Sequence, residues 1–180
     1  MVDKELIRKK YLIKRKKNYF KIRDRFFYPL IKLFKTKNIR NLALYHPVSC
    51  ELDILKIFDI EFFKKTNFLL PKMTNKVSIN FYEWKKKDVL NVNKYGIPEP
   101  IKSKPKTPNA ILVPMLAFDK YKNRLGYGKG FYDRFFQKNA QNKRNILSIG
   151  VAFSFQRYHN LPVNNKDVKL DYILTEKGIF

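Results

Sequence analysis

The chain has 180 residues, of which 39 are Lys or Arg and 15 are Asp or Glu, a formal net charge of +24 at pH 7. With 44% hydrophobic residues it can bury a core of ordinary size without staples, and its single cysteine, Cys50, excludes an intrachain disulfide. The start, MVDKELIRKKYLIKRKK, lacks the apolar stretch of a signal peptide, and no apolar run approaches the ~20 residues that cross a bilayer. The expectation is one domain over residues 1–180, cytoplasmic, monomeric and without a membrane partner.

The positive field favours anionic ligands of any kind, so a basic nucleic-acid-binding protein is the first alternative. Lys, Asn, Ile, Phe and Tyr are all heavily used, however. Their codons are rich in A and T, so a biased genome would give the same balance to unrelated proteins.

In chain order, residues 3–17 set Leu6, Ile7, Tyr11, Leu12 and Ile13 among lysines and arginines, the pattern of an amphipathic helix. Residues 19–36 repeat it with Phe20, Ile22, Phe26, Phe27, Leu30, Ile31 and Phe34, a second helix broken or capped near Pro29. The run 41–45 (NLALY) reads as a buried strand stopped by Pro47. Residues 50–65 return to helical spacing, with Ser49 as N-cap. Phe68–Leu70 is a second buried strand, and 77–84 alternates as an edge or hairpin strand. Residues 94–108, with Pro98, Pro100, Pro105 and Pro108, read as a long surface loop. Strands at 110–113, 146–153 and 172–175 and a helix over 130–139 complete the chain. Apolar, non-alternating strands between helices imply an α/β fold: an open, mainly parallel sheet with helices on both faces. Ligands in such sheets sit at the carboxyl ends of strands, here after Tyr45, Val113 and Phe153.

Three of the six glycines, Gly126, Gly128 and Gly130, fall within Arg124-Leu-Gly-Tyr-Gly-Lys-Gly-Phe-Tyr-Asp-Arg134. This is neither a Walker A loop nor the dinucleotide fingerprint. Its glycines nevertheless let a ligand approach the main chain, successive N–H groups cradle phosphate, and a helix starting near Gly130 adds its dipole. Arg124 and Lys129 add charge, and Asp133 is expected one helical turn past Lys129 on the same face.

The runs Ile111–Asp119 and Arg124–Asp133 are similar to the signature of 5-formyltetrahydrofolate cyclo-ligases, also called methenyltetrahydrofolate synthetases. Lys4 with Arg8, Tyr95–Ile97 followed by Glu99 and Pro100, Ile149–Phe153 with Gln156, Leu161–Val163, Asp167, Leu170–Asp171 and Thr175–Glu176 extend the resemblance along nearly the whole chain. The resemblance implies a three-layer α/β/α fold (NagB/RpiA/CoA-transferase-like). It also implies a reaction in which ATP phosphorylates the formyl oxygen of 5-formyltetrahydrofolate and N10 closes on the activated carbon, with Mg2+ as cofactor. Its substrates are small molecules, with no specific nucleic acid as partner.

By resemblance, Lys4, Glu5, Leu6, Ile7 and Arg8 contact ATP. The loop Arg124, Leu125, Gly126, Tyr127, Gly128, Lys129, Gly130, Phe131 and Tyr132 wraps the triphosphate, with Lys129 and Arg124 in catalytic roles. Tyr127 to Phe131 also touch the folate, together with His46 and Glu51, while Asp133 and Asp167 match the magnesium positions. Trp84 fits an aromatic near the folate pocket, although a core tryptophan fits equally. Met115 stands where the family usually has glycine, Phe131 replaces a common tyrosine, and Lys166 replaces a frequent histidine.

Overall fold

The computed structural model describes residues 3–101 and 104–180. Its centre is a seven-stranded sheet built from β1 (Asn41–Ala43), β2 (Asn67–Met73), β3 (Ile79–Glu83), β6 (Ala110–Pro114), β9 (Leu147–Val151), β10 (Tyr172–Thr175) and β11 (Gly178–Ile179), in the order β11-β10-β9-β6-β1-β2-β3. The inner pairs β10–β9, β9–β6, β6–β1 and β1–β2 are parallel, and β3 and β11 close the two edges antiparallel.

Neighbouring strand residues point to opposite layers. Leu42 and Leu44 join one core cluster and Ala43 the other; Leu112 is divided in the same way from Ile111 and Val113. The first layer packs under Leu30 and Phe34 of α2 (Tyr28–Lys35) and under Ile54, Ile57 and Phe63; the second packs under Phe136 of α3 (Phe131–Gln141). Both faces are covered, which is why the strands are apolar throughout. Each buried Leu or Ile contributes about 1.5–3 kcal/mol. Helix α1 (Lys4–Lys17) lies apart from these layers, its Ile7 and Tyr11 packed on Leu116, Ala117, Leu125 and Leu161. No helix among the described residues is long and apolar enough to cross a membrane.

Several expectations are corrected. Residues 50–65 do not form an α-helix; they wind as two short 3-10 segments, Ile54–Asp59 and Glu61–Phe63. Ser49 is no N-cap, because Ser49 and Cys50 take left-handed φ values of 50° and 59°; the Asp53 side chain caps instead, accepting from Leu55 N. Branched Ile54, Ile57 and Ile60 favour the helix weakly, and Phe58 is drawn onto Phe68 and Trp84 at ring separations of 4.3 and 5.2 Å. The second helix does not run from residue 19: it starts at Tyr28, with Pro29 in its first turn as the capped alternative had it, where a missing N–H costs nothing, after a 3-10 turn over Asp24–Phe27. The proline-rich segment is not all loop: β5 (Pro98–Pro100) pairs antiparallel with β4 (Leu90–Val92).

The sequence reading also missed a short hairpin, β7 (Ala117–Phe118) with β8 (Arg124–Leu125), which delivers the glycine loop. Its turn is organised by Asp119, wholly buried, whose carboxylate accepts from the backbone N–H groups of Tyr121, Asn123 and Leu161 and from the Asn123 amide. Gln156 locks the hairpin to the end of β9, donating to the carbonyls of Met115 and Leu116 while accepting from Phe153 N.

Candidate functional site

The parallel strands β1, β6 and β9 bring the loops after Tyr45, Val113 and Phe153 to one end of the sheet, and α1 closes over that end. Asp3 caps α1 by accepting from Glu5 N at 2.8 Å. One stripe of the helix, Lys4, Ile7, Arg8, Tyr11 and Arg15, faces the site. Lys4 Nζ lies 2.6 Å from Asp167 Oδ2, and Arg8 donates from Nε to Gly126 O at 3.0 Å and from Nη1 to Glu5 at 3.0 Å. Leu6 points to solvent and Ile7 into the core, so Lys4 and Arg8 carry the charge of this segment toward the loop.

Within the glycine loop, Gly128 and Gly130 take φ values of 90° and 64°. Gly130 caps α3 in the left-handed conformation, so Lys129 precedes the helix. The expected shared face of Lys129 and Asp133 therefore does not form. Asp133 Oδ1 instead accepts from Arg124 Nη2 at 2.8 Å and from Val168 N at 3.0 Å, while Arg124 also donates to Val168 O. Lys129 is exposed, its ammonium 5.8 Å from the Tyr95 ring centre. Arg134 donates to Lys129 O and to Val77 O, fastening the loop to the segment before β3. Leu125 is buried under α1, and Phe131 packs against the second core layer.

The loop meets the end of β1 through Tyr127. The residue is 41% exposed, but its hydroxyl donates to Glu51 Oε1 at 2.9 Å and accepts from Arg15 Nη2. Glu51 is only 5% exposed and also takes Val48 N on Oε2 at 3.0 Å. Burial pushes its carboxyl above the usual value of 4.5, opposed by the Val48 N–H, the Arg15 charge and the Tyr127 hydroxyl. Burial and the Glu51 charge hold the Tyr127 and Tyr132 phenols well above their ordinary value. Tyr45 is raised for the same reasons and donates to Leu52 O at 2.8 Å.

Beside Glu51 opens a cavity of about 270 Å3, lined among others by Tyr19, His46, Cys50, Asp53 and Leu55. His46 Nδ1 is buried and has no hydrogen-bond partner among the described residues, the kind of orphaned group that a ligand satisfies. Trp84 is elsewhere: it packs on Phe58 in the core and donates from Nε1 to Asp88 O.

Asp133 and Asp167 flank Val168. Asp133 Oδ1 takes Arg124 and Val168 N; Asp167 Oδ2 takes Lys4 and Asn164 N. Among the described residues the other oxygen of each carboxylate accepts no hydrogen bond. No group of three or more His, Cys, Asp or Glu residues suited to a metal occurs among the described residues. Two carboxylates alone fit a hard ion that keeps water and takes phosphate oxygens, as magnesium does, and do not fit an all-protein cage.

The structure thus brings Lys4, Arg8, the loop 124–132, Glu51, His46, Asp133 and Asp167 to one end of the sheet. Arg15 and Tyr45 were not foreseen. Arg15 was legible as the next basic residue on the Lys4–Arg8–Tyr11 stripe; nothing local marked Tyr45.

A model of the 5-formyltetrahydrofolate cyclo-ligase family matches residues 2–176. The chain is 29% identical over 184 residues to the 5-formyltetrahydrofolate cyclo-ligase of Mycoplasma genitalium, covering 97% of this chain and 98% of that one. It is 32% identical over 151 residues to that of Haemophilus influenzae, covering 80% of each. Among solved structures it is similar to Aquifex aeolicus 5,10-methenyltetrahydrofolate synthetase, with a TM-score of 0.76, 34% identity, and 98% of this chain and 91% of that one covered. It is also similar to the synthetase of Mycoplasma pneumoniae, with a TM-score of 0.72, 27% identity, and 96% and 98% covered.

Proposed function

The chain belongs to the 5-formyltetrahydrofolate cyclo-ligase family, and from that premise we propose that it converts 5-formyltetrahydrofolate and ATP into 5,10-methenyltetrahydrofolate, ADP and phosphate, with magnesium. The observation that most supports this reading is the Tyr127–Glu51 hydrogen bond of 2.9 Å. It sets a loop suited to phosphate directly beside a carboxylate suited to a pterin.

Phosphoryl transfer asks the protein for position and charge neutralisation rather than a nucleophile. The formyl oxygen attacks the γ-phosphorus and ADP leaves. N10 then bonds to the activated carbon, its proton is lost, and the carbon–oxygen bond breaks to release phosphate. Glu51 accepts hydrogen bonds from the aminopyrimidine, and His46 Nδ1 finds its partner on the same ligand. The N–H groups from Gly126 to Gly130 hold phosphate oxygens, with Arg8 and Lys4 at the flank. Lys129, exposed at the loop, reaches the transferring phosphoryl group, while Arg124, fixed by Asp133, contributes a stationary charge. Asp133 and Asp167 would hold magnesium, which when bound neutralises charge on the phosphate oxygens.

The test is turnover of 5-formyltetrahydrofolate by purified protein, followed by the absorbance of the methenyl product. Product that requires both ATP and magnesium is expected; none with both present overturns the proposal.

A further inference from the structure

Arg15 is one of the largest fully buried side chains, 1% exposed, and it lies on α1 rather than on the loops that form the site. Each of its three nitrogens donates to a different group. Nε reaches Ser49 O at 3.1 Å, Nη1 reaches Met115 O at 3.3 Å, and Nη2 reaches the Tyr127 hydroxyl. The guanidinium carbon also lies 5.7 Å from the Tyr127 ring centre.

We propose that Arg15 is a positioning residue that fixes Tyr127 and the Ser49–Glu51 turn from the buried side, so that one helix aligns the nucleotide loop with the folate-contacting acid. This rests on the role given to Glu51 above.

The direction of the hydrogen bonds supports the assignment. A guanidinium only donates, so the Tyr127 oxygen must accept from Arg15, and its own proton is left for Glu51. Glu51 Oε1 then accepts from Tyr127 and Oε2 from Val48 N. With both oxygens accepting, these bonds oppose the effect of burial without cancelling it, and each oxygen keeps a lone pair for a paired N–H donor. The second handle is Ser49. Its carbonyl is held by Arg15 in the left-handed turn, φ 50° at Ser49 and 59° at Cys50, that swings Glu51 inward. Such a turn persists only where its surroundings hold it. Packing alone does not call for a guanidinium here, since a charge is costly to bury unless it is fully partnered.

The groups facing Glu51 are Arg15 from α1, Tyr45 after β1, Tyr127 from the loop and Tyr132 from α3, with His46, Cys50 and Asp53 around the cavity. Among the side chains, the Arg15 charge and the Tyr127 hydroxyl hold the Glu51 carboxyl down. Without Arg15 the carboxyl must titrate higher.

The experiment uses Arg15→Met, Arg15→Lys and Tyr127→Phe. In the ligand-free protein, carbon-13 NMR of the labelled glutamate carboxyls should show the Glu51 midpoint rising by about one unit in Arg15→Met, with Arg15→Lys in between. In turnover, the acid limb of kcat/KM for 5-formyltetrahydrofolate should move up by the same amount. A folded Arg15→Met protein with the Glu51 midpoint and acid limb of the parent overturns the proposal. If Arg15→Met does not fold, Tyr127→Phe decides by the same titration, and an unshifted midpoint again overturns it. Absence of turnover in the parent protein would sink the functional reading instead, leaving the ligand-free titration to judge Arg15.

Discussion

Arg8 and Gly128 are in closest approach at the mouth of the glycine loop: a Cβ built on Gly128 would stand 3.1 Å from Arg8 Cζ. Gly128 also has φ of 90°, where side chains are strained. Gly128→Ala therefore both strains the backbone, at about 1–3 kcal/mol, and pushes away the guanidinium that holds Gly126 O. A methyl placed on Gly126 would have nothing within 4 Å, and the φ there is not strained. Gly126→Ala should keep parental stability in urea unfolding while raising KM for ATP, because there the space serves the ligand. Equal loss of stability in both variants would contradict this division.

Lys129 is exposed, and its side chain makes no ion pair with Asp133. Lys129→Ala should leave the unfolding midpoint within about 0.5 kcal/mol of the parent, the usual range for surface changes, and lower kcat by at least ~100-fold, the scale of losing one preorganised charge donor. Near-parental turnover would remove Lys129 from the chemistry.

These contrasts mark what was legible in the sequence. Strands such as 110–113 were readable because burial on both faces makes every position apolar. The glycine loop was readable because a chain with six glycines places three of them in five residues. The 50–65 segment was misread because its apolar spacing suits either helix or 3-10 turns, and the choice is made by tertiary contacts of Phe58 that spacing does not encode. The shared face expected for Lys129 and Asp133 was misread for a similar reason. Helical spacing pointed to Lys129, but the left-handed Gly130 starts the helix one residue too late, and the hairpin brings Arg124 instead.

The raised Glu51 carboxyl has a consequence for stability. Its folded value exceeds its unfolded 4.5, so the native state binds this proton more tightly. The resulting stabilisation is full below pH 4.5 and is lost as pH rises through the folded value. Glu51→Gln removes that loss. The variant's unfolding free energy, measured by urea titration from pH 4 to 7, should rise relative to the parent as pH increases, while its KM for 5-formyltetrahydrofolate increases. A gap that shrinks with pH would reverse the sign argued here.

Asp167 is paired with Lys4 at a half-exposed position, with side chains 27% and 26% exposed, so Asp167→Asn should cost little stability, about 0–1 kcal/mol. If Asp167 holds magnesium, the loss appears elsewhere. Even outer-shell changes cost 10–100-fold in metal affinity, so the magnesium concentration for half-maximal turnover should rise at least ~tenfold. An unchanged magnesium requirement would take Asp167 out of the metal site.

Met115 and Gly150 are coupled across the strand ends. A Cβ on Gly150 would fall 2.1 Å from Met115 Cε, 2.6 Å from Leu170 Cδ1 and 2.9 Å from Ile173 Cδ1. Met115, 1% exposed, thus fills the space above Gly150, and the glycine common at position 115 in the family would leave that space to other groups. Met115→Ala should cost about 2–5 kcal/mol as a cavity, and Gly150→Ala about 1–3 kcal/mol as overpacking. In the double variant the new methyl enters the vacated volume, and only the Leu170 and Ile173 contacts still have to give. The double variant should be more stable than the sum of the single losses by about 1 kcal/mol or more, a coupling of the size seen between touching residues. Urea midpoints of the four proteins measure it, provided the slopes agree. Simple additivity would mean that the Met115 side chain does not lie over Gly150. The backbone carbonyl of Met115, which accepts from Arg15 and Gln156, survives each substitution, so turnover at low temperature should persist in the variants that remain folded.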